Sequence, residues 1–184
     1  MFQKKYKMNL ILETERLIMR EMRHEDAEAL FDMDSNPNVH LYLWQKPYTS
    51  IDDVHSYIAM VRKQYEKNNI GRFSTIIKDT NELIGWTGIK YIDDHVENGN
   101  TNFYDYGYRL NEKHWNKGYA TEASKAWLDY GFNKMNIKEM NAYTHAENGA
   151  SNHVLQKVGF HFIEDYPDKE GVLWKWWQLR NSVQ

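Results

Sequence analysis

The sequence predicts an α+β fold, a mixed and mostly antiparallel sheet with helices packed on its faces. Three observations lead there. The β-like runs "RFSTIIK", "ELIGWTGIKYI" and "TNFYDYGYRL" follow one another with the turn-forming "DTN" and "NG" between them, which is the pattern of a hairpin meander. Two long stretches, one starting at Ile51 and one near Ala120, carry apolar residues at helical spacing. The last third then runs strand, short helix, strand, strand through "EMNAYTH", "ASNHVLQKV", "FHFIED" and "VLWKWWQL".

In order along the chain, "LETERLIMREM" reads as a strand through Leu17, Ile18, Met19 and Arg20. "HEDAEALFDMD" reads as a short helix, with Ala27, Leu30 and Phe31 on one face and acids in its first turn, where the helix dipole favours them. "NPNVHLYLWQKPYTS" holds two of the three prolines and no clear period, so it is a loop or broken helix rich in aromatics. Ser50 fits an N-cap, with Asp53 at the capping-box position, and Ile51, Val54, Ile58, Val61 and Tyr65 keep helical spacing behind it. After the meander, Ala123, Ala126, Trp127 and Tyr130 form a helical face widened by Leu128 and Phe132. Gly159 closes the next short helix. In the final strand, alternation sends Trp174 and Trp176 to one face and Trp177 to the other.

No linker, repeat or low-complexity tract divides the 184 residues, so residues 1–184 read as one domain, with residues 1–9 a disordered N-terminal extension. A net charge of -3 argues against nucleic acid as a partner. The absence of cysteine excludes disulfides, thiolate metal sites and a cysteine nucleophile. Lys4, Lys5 and Lys7 precede an apolar run of only Leu10 to Leu12, too short for a signal peptide, and no stretch approaches a membrane span. These features place the protein in the cytoplasm, away from membranes. The eight histidines show no His-x-x-x-His or His-Glu-x-x-His spacing, so no metal site is expected, and His145 and His153 read as solvated or packed.

Three stretches carry chemistry. In "HWNKGYATEA", Gly118 stands between a strand and a helix start. It either makes a simple turn or lets an anion approach free backbone amides at the positive end of the helix dipole. No P-loop or dinucleotide fingerprint is present. In "NGASN", Asn148 is a good N-cap and the Ser151 amide sits where its side chain would bond. In "YDYGY", Asp105 is either a strand acid paired with a basic neighbour or a carboxylate facing a cleft.

"YDYGYRLNEKHWNKGYATEASKAWLDYGF" followed by "NGASNHVLQKVGF" resembles the GNAT superfamily of N-acetyltransferases, and "LETERLIMREMRHEDAEALFDM" extends the likeness over nearly the whole chain. It is most similar to the branch containing the ribosomal-protein N-terminal acetyltransferases. The resemblance implies a twisted sheet of about seven strands with about four helices on its faces, two strands splayed to form a slot for acetyl-CoA. It places the cofactor pyrophosphate on the amides of Asn116 to Thr121, in the loop Trp115-Asn116-Lys117-Gly118-Tyr119-Ala120. Asn116 stands where many relatives have glycine and tolerates the left-handed backbone that a glycine would take. Pantetheine is expected beside Tyr108, Arg109 and Leu110, opposite Ala142 and Tyr143. Asn148 is expected to contact the cofactor. Ser151 would protonate the departing thiolate, and Asp105 would take a proton from the amine, with Glu164 and Asp165 as rivals. Trp44, Tyr48, Trp86 and Tyr104 fall on segments resembling the family's substrate walls. The implied reaction is direct attack of a primary amine on acetyl-CoA in a ternary complex, with a protein N-terminus as acceptor and a homodimer as the assembly. A small amine such as a polyamine or amino sugar, and a non-catalytic acyl-CoA-binding module, are the competing readings.

Overall fold

The computed structural model describes residues 10–43 and 45–181. The expected extension at residues 1–9 and the expected wall residue Trp44 lie outside the described residues. The chain runs β1 (Ile11–Glu13), β2 (Leu17–Glu21), α1 (Ala27–Asp34), α2 (Ile51–Asn68), β3 (Arg72–Ile77), β4 (Glu82–Ile92), β5 (Phe103–Leu110), α3 (Tyr119–Asn133), β6 (Glu139–His145), α4 (Gly149–Lys157), β7 (His161–Pro167) and β8 (Leu173–Arg180). The strands join in one sheet in the order β1-β2-β3-β4-β5-β6-β8-β7. All pairings are antiparallel except β5 with β6. Among the described residues eight strands stand where about seven were expected. The addition is β1, a three-residue edge strand with Ile11 56% exposed, too short to show alternation in sequence.

Local chemistry accounts for the elements. Ser50 Oγ accepts from the Asp52 amide at 3.2 Å while the Asp53 carboxylate accepts from the Ser50 amide at 3.2 Å, so the capping box forms with Asp in the Glu position. Asn69 ends α2 in the left-handed region, at φ 52°. Val54, Ile58, Val61 and Tyr65 are buried as their spacing predicts, while Ile51 is exposed in the first turn. The Trp127 ring meets Phe73 edge-on at 4.9 Å, and its Nε1 donates to Thr87 Oγ1 at 2.8 Å, which fastens α3 to the sheet. Trp177 joins the main core, whereas Trp174 and Trp176 form a second cluster with Ile92, Phe103 and Tyr166. Among the described residues no helix is long and apolar enough to cross a membrane.

The position of the site follows from one departure in the sheet. β5 and β6 pair only at Tyr104↔Met140 and Asp105↔Asn141. Beyond those pairs β5 continues along β4 to Leu110, and β6 continues along β8 to His145. The two parallel strands therefore splay. The β6-facing edge of β5 from Tyr106 to Leu110 is left without a strand partner.

Candidate active site

A cavity of about 830 Å³ fills the gap between the splayed strands. Tyr106 to Leu110 form one wall and Ala142 to His145 the other, and the first turns of α3 and α4 close one side. Val39, Leu41, Tyr42 and Leu43, from the segment between α1 and α2, line it as well. That segment is held in place by Glu112, whose carboxylate accepts from Asn36 Nδ2 at 2.8 Å and from Asn38 Nδ2 at 2.9 Å.

The loop before α3 turns through two left-handed residues into the helix start. Asn111 caps a short 3₁₀ turn, Glu112–His114, and the Trp115 indole donates to the Leu110 carbonyl at 2.7 Å. Asn116 then takes φ 60° and Gly118 takes φ 83°. Asn116 thus adopts the left-handed backbone, which its short polar side chain makes less costly than for most residues. The amides opening α3 have no preceding helical carbonyl to reach and carry the positive end of its dipole. Trp115, Asn116, Gly118, Tyr119, Ala120 and Thr121 all line the cavity. Lys117 is exposed and is not among the lining residues; its carbonyl accepts from Arg16 Nη1 at 3.0 Å.

At α4 the Asn148 side chain accepts from the Ser151 amide at 3.1 Å, so the capping geometry is present. The Ser151 side chain turns to Tyr108, whose hydroxyl donates to Ser151 Oγ at 3.3 Å. Burial raises the Tyr108 phenol above its usual range, against the bond to Ser151, so it stays protonated and available as a donor. Tyr108, Arg109, Leu110, Asn148 and Ser151 all line the cavity. The Arg109 guanidinium also meets Asp34 Oδ1 at 2.6 Å and lies over the Trp86 ring.

Asp105 is placed differently. It is 3% exposed, forms a buried ion pair with Arg72, and is not among the cavity-lining residues. Its main-chain oxygen accepts from Arg72 Nη1 at 3.0 Å. Burial raises its carboxyl above the ordinary range, against the pull of Arg72 and Lys90. Tyr143, a lining residue, is close enough for Asp105 to oppose its ionisation. Glu164 and Asp165 lie on the exposed edge strand β7, where Glu164 accepts from Asn98 at 2.8 Å and Asp165 from Lys175 at 2.8 Å.

Tyr48, Trp86 and Tyr104 do not line the cavity. Beside Tyr106, Tyr108, Trp115 and Tyr119, the aromatic lining includes Tyr42, Tyr143 and Trp174, with the His145 ring 5.3 Å from Tyr42 and 5.8 Å from Trp174. His145 and His153, expected to be packed or solvated, both line it. The aromatic-rich loop holding Tyr42 carried a composition signal in sequence but no period to say which rings turn inward. Among the described residues no group of three or more His, Cys, Asp or Glu could hold a metal ion.

A family model described as "Acetyltransferase (GNAT) domain" matches residues 16–161. An uncharacterized N-acetyltransferase p20 of Bacillus licheniformis is 36% identical over 165 residues, covering 88% of this chain and 90% of its own length. The fold is shared with a ribosomal L7/L12 α-N-protein acetyltransferase solved in complex with coenzyme A, at TM-score 0.78 and 14% identity over 95% of this chain and 100% of that one. It is shared too with a spermidine N-acetyltransferase of Vibrio cholerae solved with CoA and spermine, at TM-score 0.72 and 20% identity over 92% of this chain and 98% of that one.

Proposed function

The chain belongs to the GNAT acetyltransferase family, and from that premise we propose that it moves acetyl from acetyl-CoA to the terminal amine of a protein or peptide. The observation that carries the acceptor class is the charge of the cavity wall. Among the described residues Glu112 is the only carboxylate lining it, and Asn36 and Asn38 already occupy that group. Arg109 and Lys157 line the same space. A polyamine brings several ammonium groups into one site and needs several carboxylates to replace their hydration. A peptide N-terminus brings one amine and a chain of amides, which suits the aromatic and apolar walls.

The diphosphate rests on the amides of Asn116 to Thr121, and pantetheine lies along the unpaired edge of β5 as an added strand would. Asn148 faces the cofactor from the start of α4. The amine attacks the thioester carbonyl directly, and most of the acceleration comes from holding the two reactants together. As the intermediate collapses, Ser151 gives its hydroxyl proton to the leaving sulfur and takes one from the Tyr108 phenol, which regains its own proton from solvent in the same step, so that no phenolate is left in the site. Asp105 accepts the proton of the incoming ammonium through water rather than by direct contact, since its carboxylate stands behind the cavity wall with Arg72.

An acceptor screen read by thiol release tests the assignment. Peptides with free N-termini should accelerate release from acetyl-CoA, while polyamines and amino sugars should not. Acceleration by polyamines alone would replace the peptide reading. No acceleration by any amine, with CoA still bound at micromolar affinity, would leave a non-catalytic CoA-binding module.

A further inference from the structure

The turn between β1 and β2 reaches across the molecule to the loop before α3. Thr14 Oγ1 donates to Glu122 Oε1 at 2.6 Å, and the Arg16 amide donates to the same oxygen at 2.9 Å. Arg16 Nε donates to Glu122 Oε2 at 2.6 Å. The other arm of the guanidinium, Nη1, donates to the Lys117 carbonyl at 3.0 Å, and the group lies 4.5 Å from the centre of the Tyr119 ring. A Cβ added at Gly118 would stand 3.3 Å from Arg16 Nη2. Three consecutive loop residues, Lys117, Gly118 and Tyr119, are thus packed or bonded against one side chain.

That loop needs a brace. It carries left-handed residues at Asn116 and Gly118, and an asparagine there costs backbone energy that a glycine does not. Glu122 sits one turn into α3, its amide bonded to the Gly118 carbonyl at 3.0 Å, so a group fixed to Glu122 is fixed relative to the helix start. Arginine supplies the rigid fork that spans Glu122 and the Lys117 carbonyl at once.

We propose that Arg16, oriented by Glu122, is a positioning residue that sets the Asn116–Tyr119 loop for the diphosphate of acetyl-CoA. The proposal rests on the assignment of the diphosphate to that loop. Arg16 touches none of the reacting atoms and acts only through the loop backbone.

The test compares affinities for acetyl-CoA, acetyl-dephospho-CoA and acetyl-pantetheine, by calorimetry and, for the weak pantetheine, by ligand-observed NMR. Arg16→Ala should weaken both diphosphate-bearing ligands about tenfold, as loss of a charge-assisted hydrogen bond does, and leave acetyl-pantetheine within about twofold. Glu122→Gln should weaken the same two ligands, and the double variant should add little, because the two residues act as one unit. Arg16→Lys should recover only part of the affinity. Equal losses on all three ligands would make Arg16 a general structural residue, and unchanged affinities would remove it from the site. A loss confined to acetyl-CoA would make it a direct contact of the ribose 3′-phosphate. Gly118→Trp separates the underlying assignment. If it leaves acetyl-CoA affinity intact, the diphosphate does not use this loop. If it abolishes binding while Arg16→Ala does nothing, only the brace is wrong.

Discussion

Tyr108 lines the cavity, and its hydroxyl donates a hydrogen bond to Ser151 Oγ, 3.3 Å away. Because burial keeps the phenol protonated, Tyr108 holds its hydrogen bond to Ser151 while the serine hydroxyl protonates a departing thiolate. Ser151→Ala should therefore lower kcat by about 10²-fold or more, within the range of positioned acid catalysis, with little change in acetyl-CoA KM. Tyr108→Phe should cost about tenfold, and the double variant no more than Ser151→Ala alone. Additive losses would show that the two hydroxyls do not share one proton path. Asp105 invites a two-readout experiment, since it is both a buried partner of Arg72 and the proposed proton acceptor. Asp105→Asn leaves Arg72 without its counter-charge and should lower stability by about 3 kcal/mol. If Asp105 also takes the amine proton, the rate loss will be largest near neutral pH and fade at high pH, where free amine is abundant. A pH-independent loss accompanying the drop in melting temperature would leave Asp105 with the structural role alone.

The elements meet through a second buried carboxylate, Asp26, placed just before α1. It accepts from Arg20 Nη1 and Nη2 at 2.8 and 2.6 Å, from Ser74 Oγ at 2.6 Å and from the Arg23 amide at 2.9 Å, joining β2, β3 and the turn into α1. Burial by itself would raise this carboxyl, but the hydrogen bonds from Arg20, Ser74 and Arg23 outweigh it and hold the group below its usual range. A depressed folded-state pKa contributes stability that is fully present above the unfolded value, about 3.9, and lost as pH falls through the folded one. Asp26→Asn should lower stability by about 2 kcal/mol at pH 7, a fall of roughly 4–8 °C in melting temperature. Melting curves across pH should show the gap to the wild type closing below about pH 4; a gap of constant size would mean that shape, not charge, holds the junction. How readily elements could be read from the chain followed the same local physics. The Ser50 and Asp53 cap and the Trp174, Trp176 and Trp177 alternation were legible because each depends on near neighbours. Asp26 was not, because Arg20 and Ser74 come to it from two different strands.

At the scale of the whole molecule, the left-handed loop before α3 and the N-cap at Asn148 were legible from short motifs, while the aromatic wall of the cavity was not. Tyr42, Tyr143 and Trp174 reach one cavity from three segments, and only the splay of β5 from β6 sets that meeting. The aromatics expected there, Tyr48, Trp86 and Tyr104, are not among its lining residues, and β4, which carries Trp86, contributes none. The splay also leaves the sheet joined across its middle by the two β5–β6 residue pairs, with the cavity opening beyond them. A ligand seated in that gap bonds to both halves and binds the folded state alone, so it adds RT ln(1 + [L]/Kd) to stability. At a hundredfold excess of acetyl-CoA over its Kd this amounts to about 2.7 kcal/mol, a rise of roughly 5–10 °C in melting temperature for a chain of this size. Amides of Tyr106 to Leu110 should gain protection from hydrogen exchange on binding, because the cofactor gives the open edge of β5 the partner that β6 does not. Protection that appears at the start of α3 but not along β5 would place the diphosphate correctly and refute the added-strand position of pantetheine.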